Sequence, residues 1–123
     1  MLNEVCIHGR LVADPEIRKT SAKKSVCNFV VAVDRDYTDD EGNRDTDFLD
    51  CVAWGASADF MEKYFKKGNL IVVTGSLAKR FWEDEDDARH YITEIVARNV
   101  YFGGSKPSEE NKEKKNTKKT AKR

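Results

Sequence analysis

The sequence predicts an all-β domain of five strands with one helix set between the third and fourth, followed by a disordered tail. Three observations carry this. Apolar residues recur mostly at period two, one segment alone switches to helical spacing, and the last twenty residues have no apolar pattern. At 123 residues the chain has room for one domain, placed here at residues 1–103, with the tail at 104–123.

Val5, Ile7 and Leu11 mark the first strand, which ends at Ala13-Asp14-Pro15-Glu16, where proline has no N–H to give a ladder. Val26 to Val33 is a nearly continuous apolar run of strand length. Asp34 to Asp47, which contains Asp39-Asp40-Glu41-Gly42-Asn43, reads as a mobile hairpin loop. Phe48 to Trp54 is the third strand. Phe60, Met61, Tyr64 and Phe65 then fall on one helical stripe, with Ser57 the expected N-cap, Lys66 and Lys67 in the last turn, and Gly68 ending it. Leu70 to Leu77 returns to β and continues through Lys79-Arg80-Phe81-Trp82. It turns over in Glu83 to Ala88 and comes back as Tyr91 to Val96, and Val100-Tyr101-Phe102 is a last apolar patch. Three strands, a helix and two strands is the element order of an OB-fold, a five-stranded Greek-key barrel whose helix plugs one end.

The formal net charge is zero, but it divides unevenly. Residues 104–123 hold eight cations and three acids, +5, which leaves 14 cations and 19 acids, −5, for the body. The tail also lacks aromatic and branched aliphatic residues, so it cannot bury enough surface to order itself. No run is apolar enough to span a bilayer and the N-terminus has no signal-peptide layout, so a cytoplasmic protein is expected. Cys6, Cys27 and Cys51 each lie in an apolar run and are expected as reduced core thiols. A metal site from Cys6 and His8 with another cysteine lacks CxxC or HxxxH spacing, so no metal or cofactor is expected.

The aromatics suggest a function. On the third strand Leu49, Cys51 and Ala53 share one face, small and apolar, whereas Phe48, Asp50, Val52 and Trp54 share the other. Trp82 has the parity of Arg80, Ala78, Ser76 and Thr74; Phe81 has that of Lys79, Leu77 and Val73. Tyr37 stands in a polar segment beside Arg35. An exposed flat ring beside a cation suits a nucleobase, whose π-face stacks whatever its sequence while the cation meets phosphate. Duplex DNA hides those faces, so the expected ligand is single-stranded. The candidate phosphate partners are Arg10, Arg18, Lys19, Lys23, Lys24, Arg35, Lys79, Arg80 and Arg89.

The chain resembles bacterial-type single-stranded DNA-binding proteins over about residues 1–103. The resemblance rests on Asn3 to Leu11 (NEVCIHGRL), Asp14-Pro15-Glu16-Ile17-Arg18, Phe48 to Gly55 (FLDCVAWG), Tyr64 to Gly68 (YFKKG), Val73 to Leu77 (VTGSL) and Arg80-Phe81-Trp82. It implies an OB-fold homotetramer that wraps single-stranded DNA in replication, recombination or repair, with Tyr37, Phe48, Trp54 and Trp82 at the base-stacking positions. Two departures stand out. Asp50 occupies the binding face where related chains often carry a basic or neutral residue. The family's tail typically ends in an acidic, hydrophobic tip that recruits replication and repair enzymes, whereas this chain ends Asn116-Thr117-Lys118-Lys119-Thr120-Ala121-Lys122-Arg123, so recruitment by that route is in doubt.

Two rivals remain open. An OB-fold module for structured RNA or a primosome would read the same at the level of fold. A nuclease would need Asp84, Asp86 and Asp87 to hold a divalent metal. Those carboxylates are contiguous on one loop without a convergent set from other strands, so catalysis is not expected.

Overall fold

The computed structural model describes residues 1–104, so all of the expected tail except Gly104 lies outside the described residues. The elements run β1 (Val5–Leu11), β2 (Glu16–Lys19), β3 (Ser25–Thr38), β4 (Arg44–Trp54), α1 (Ala56–Tyr64), β5 (Leu70–Glu83) and β6 (Arg89–Phe102). Strands neighbour one another in the order β1-β5-β6-β4-β3, and β1 meets β3 again at Arg10–Ala32 and Leu11–Val31. That second meeting closes five strands into a barrel. Every pairing is antiparallel except β4–β6, which is parallel and limited to Cys51–Ile95 and Val52–Val96. With the helix between the third and fourth barrel strands, this is an OB-fold.

Alternation builds the core. Cys27, Phe29 and Val31 of β3 point inward with Cys51 and Ala53 of β4 and Ile71 and Val73 of β5, all buried. The helix closes one end by burying Ala58 and Met61. Phe65, just past it, is buried against Phe102 with ring centroids 4.9 Å apart, and Phe60 meets both rings edge-on. Gly68, at φ 89°, turns the chain back so that its N–H donates to the Leu11 carbonyl at 2.8 Å. At the chain start, the Asn3 side chain acts as one more rung of the β1–β5 ladder. Its Nδ2 donates to the Leu77 carbonyl, and its Oδ1 accepts from the Leu77 N–H, both at 2.8 Å.

Several sequence expectations need correction. A sixth strand, β2, pairs with β3 from Glu16–Asn28 to Lys19–Ser25; EIRK is too polar and short to show apolar alternation. The segment Asp34 to Asp47 is mostly strand. β3 and β4 pair as far as Thr38–Arg44, held by polar cross-strand contacts such as Thr46 Oγ1 to Asp34 Oδ1 at 2.6 Å, and only Asp39 to Asn43 turns. β6 is one strand rather than two pieces, because a bulge between Ala97 and Asn99, opposite Thr74 and Gly75, absorbs the break in pattern. Gly55, not Ser57, is the N-cap, and the Ser57 hydroxyl donates to the Arg98 carbonyl at 3.5 Å instead. Lys66 and Lys67 lie beyond the helix, which ends at Tyr64. Cys6 is exposed, as its alternation with Val5 and Ile7 requires. Cys27 and Cys51 are the two buried thiols, and burial pushes Cys51 up to about 12.

Candidate nucleic-acid interface

Both long hairpins outrun the barrel. The β5–β6 ladder continues to Glu83–Arg89 and the β3–β4 ladder to Thr38–Arg44, whereas β4 and β6 pair at only two positions. The hairpins therefore part beyond Cys51 and Ile95. Between them lies a cavity of about 270 Å³ lined by Asn28, Val30, Asp50, Arg80, Ile92 and Glu94, among others.

The pairing register sets arginines and rings in rows. Arg10 stands opposite Ala32, and Ala32 opposite Phe48; Arg18 stands opposite Val26, and Val26 opposite Trp54. Cross-strand partners share a face, so each row presents an arginine and an aromatic to the same side of the sheet, two strand spacings or about 9–10 Å apart. Phe48 is 66% and Trp54 47% exposed, a poor placement for large rings unless something covers them. One donor of Arg10 is engaged with the Gly68 carbonyl at 2.7 Å.

Trp82, 45% exposed, stacks on His90 across the β5–β6 hairpin, with centroids 5.4 Å apart and planes 23° from parallel. Arg80 lies 5.6 Å from the indole centroid and donates from Nε to the buried Glu94 at 2.8 Å. His90 is not among the residues that periodicity singles out, although a turn centred on Asp86 pairs it with Trp82. The opposite face of this hairpin carries Phe81 and Tyr91, with Arg89 4.6 Å from the Phe81 centroid and Lys79 4.8 Å from that of Tyr91. Lys79 and Arg89 thus stand apart from Trp82. Phe81 has inward parity but is 57% exposed, since no core remains at that height.

Other candidates are placed differently. Arg35 makes a bidentate contact with Asp47 (2.9 and 3.2 Å), approaches Asp45 at 3.8 Å and donates to the Tyr37 hydroxyl at 3.2 Å. This guanidinium is already met by carboxylates. Tyr37 stands with it beside Asp47, which has the parity of Leu49 rather than of Phe48. Lys19 donates to the Ser25 hydroxyl at 2.6 Å, and Lys23, at φ 61°, and Lys24 form the β2–β3 turn.

Asp84 builds the tip of the second hairpin instead of joining a carboxylate cluster. Its Oδ1 accepts from the N–H groups of Asp86 (2.9 Å) and Ala88 (3.0 Å), and its Oδ2 lies 2.6 Å from His90 Nε2. The His90 contact, then the Ala88 amide, hold the Asp84 carboxyl below its ordinary value. A depressed carboxylate contributes stability above its unfolded value of about 3.9, lost as pH falls through the lower folded one. The Asp84 side-chain carboxyl carbon resonance should therefore show its carboxylate titration with a midpoint below the ordinary value of about 3.9; a midpoint at or above that would sink the assignment.

Comparison with known proteins fits this geometry. The model of the single-strand binding protein family matches residues 2–103. Among similar proteins, the single-stranded DNA-binding protein of Caldanaerobacter subterraneus subsp. tengcongensis is 42% identical over 118 residues, covering 89% of this chain and 79% of its own length. That of Oceanobacillus iheyensis is 40% identical, covering 89% of this chain and 68% of its own. Single-stranded DNA-binding protein 2 of Listeria innocua is 40% identical, covering 83% and 64%. With nearly the whole described domain matched, the chain belongs to the single-strand binding protein family.

Proposed function

We propose that this chain binds single-stranded DNA without regard to sequence and protects it during replication, recombination or repair, acting as a cytoplasmic binding protein rather than an enzyme. The observation that carries the reading is the pair of rows, Arg10–Ala32–Phe48 and Arg18–Val26–Trp54, on one exposed sheet face. Bases stack on Phe48, Trp54 and Trp82, while Arg10 and Arg18 meet the backbone; Arg80, paired with Glu94, stands at the cleft beside Trp82, and Tyr37, Arg35 and the remaining lysines and arginines act at the margins of this path. Indole emission should fall as poly(dT) saturates the protein, with poly(U) and duplex DNA competing poorly. Unchanged emission, or equal competition by duplex, would reject the reading.

The assembly that goes with this function is a homotetramer, a proposal resting on family membership and on a free strand edge. From Val5 to His8, β1 pairs with β5 on one side and pairs with no strand on the other among the described residues, a ready template for a second copy. A monomeric mass by light scattering at micromolar concentration would exclude it. The doubt about recruiting replication and repair proteins concerns the tail, which apart from Gly104 lies outside the described residues.

A further inference from the structure

The cleft between the hairpins has the wrong charge for a DNA backbone and the right groups for a base edge. β4 and β6 are in parallel register at Cys51–Ile95, so Asp50 and Glu94, one position earlier on each, stand side by side where the strands part. Both carboxylates line the cavity. Glu94 is 8% exposed and gives one oxygen to Arg80, while Asp50 is exposed at the mouth. Phosphate is repelled here. The rims, however, are the proposed stacking elements, since Phe48 lies two residues from Asp50 on the same face of β4 and Trp82 two residues from Arg80 on the same face of β5. A strand crossing these rings with its phosphates toward Arg10 and Arg18 turns base edges toward the cleft.

We propose that this cavity is a base-edge subsite preferring nucleobases with an exocyclic amine beside a ring acceptor nitrogen, cytosine and adenine, over thymine. The inference rests on the single-stranded DNA reading above and deepens it. A carboxylate accepts from the cytosine 4-amino group, whereas thymine offers a carbonyl oxygen at that position and meets the same carboxylate with repulsion. The adjoining ring nitrogen is an acceptor in cytosine and a donor in thymine. The donors that complement cytosine there are the Asn28 amide and the Arg80 N–H groups other than the Nε committed to Glu94. At about 270 Å³ the space falls below the roughly 300 Å³ from which drug-sized sites begin, a size for one base rather than a whole nucleotide. The chain thus adds a modest base preference to binding that stacking alone leaves indifferent to sequence.

The test compares affinities of the full chain for oligo(dC) and oligo(dT) of equal length, at pH 8 and one salt concentration, in the wild type and in Asp50→Val and Asp50→Asn. The wild type should favour oligo(dC) by about fivefold, the low end of what one base-edge pair discriminates. In Asp50→Val the ratio should fall toward one, mainly because oligo(dT) binds more tightly once the repulsion is gone. An oligonucleotide of 2-pyrimidinone, which lacks the 4-amino group, should lose the wild-type advantage of oligo(dC). Asp50→Asn separates charge from hydrogen bonding, since it removes the negative charge and keeps an acceptor oxygen; it should retain part of the preference. Equal wild-type affinities, or a ratio untouched by Asp50→Val, would overturn the subsite while leaving single-stranded DNA binding intact. Failure to bind either oligonucleotide would overturn both.

Discussion

Replacing Trp54 and Trp82 together by alanine should weaken single-stranded DNA binding by about 2–6 kcal/mol, since each stacked base contributes about 1–3 kcal/mol by alanine substitution. That is roughly 30-fold to more than 10⁴-fold in affinity. The two rings sit in different hairpins, Trp54 beside Val26 and Trp82 against His90, and share no partner, so their effects should add. Both rings are about half exposed, so the fold should survive, with Trp54→Ala showing a small stability cost as the buried Val26 is uncovered. Fluorescence anisotropy with a labelled oligonucleotide, paired with far-UV circular dichroism, separates the two effects. A double variant that binds within threefold of the wild type would remove the tryptophans from the binding path.

The second large effect is on stability. Phe65→Ala should cost about 3–5 kcal/mol, the range for truncating a buried aromatic ring. The ring is 2% exposed, stacks on Phe102 and meets Phe60 edge-on, so its loss opens a cavity at the end that the helix closes. Domains of this kind carry about 5–15 kcal/mol in total, so the variant approaches the unfolding limit. Phe65→Leu, which refills part of the space, should recover much of the loss. Urea denaturation followed by circular dichroism reads both, and a change below about 1 kcal/mol for alanine would show that the end of the barrel can collapse around the gap.

Sequence pattern located the barrel because the barrel is where one face of each strand is dry. Leu49, Cys51 and Ala53 separated from Phe48, Asp50 and Trp54 by simple alternation, and the uninterrupted β3–β4 register from Val26–Trp54 to Asp34–Thr46 preserved that parity in space. The same logic fails wherever neither face is buried. In the outer part of the first hairpin, Arg35, Asp47, Asp34 and Thr46 hold strands together by polar contacts that leave no hydrophobic period, so it reads as loop. Phe81 illustrates the converse, since its core parity has no core to meet. The rows joining Arg10 to Phe48 and Arg18 to Trp54 depend on strand register across residues far apart in the chain, which single-strand periodicity does not encode. Glu94 beside Asp50 is hidden for the same reason.

The hairpin tips at Asp39–Asn43 and Asp84–Ala88 are each closed by one aspartate that folds the turn on itself. Neither turn draws a hydrogen bond from the barrel wall, so each is a self-contained cap on a protruding ribbon. For protein engineering this makes the tips attachment points. A cysteine at Asp40 or Glu85, in a background where Cys6 is replaced by serine, would carry an environment-sensitive dye at the edge of the binding path while the barrel keeps its own packing. Such a conjugate would report strand exposure in real time, and lengthening one ribbon by two-residue steps would move the dye along the ligand without altering the scaffold beneath it.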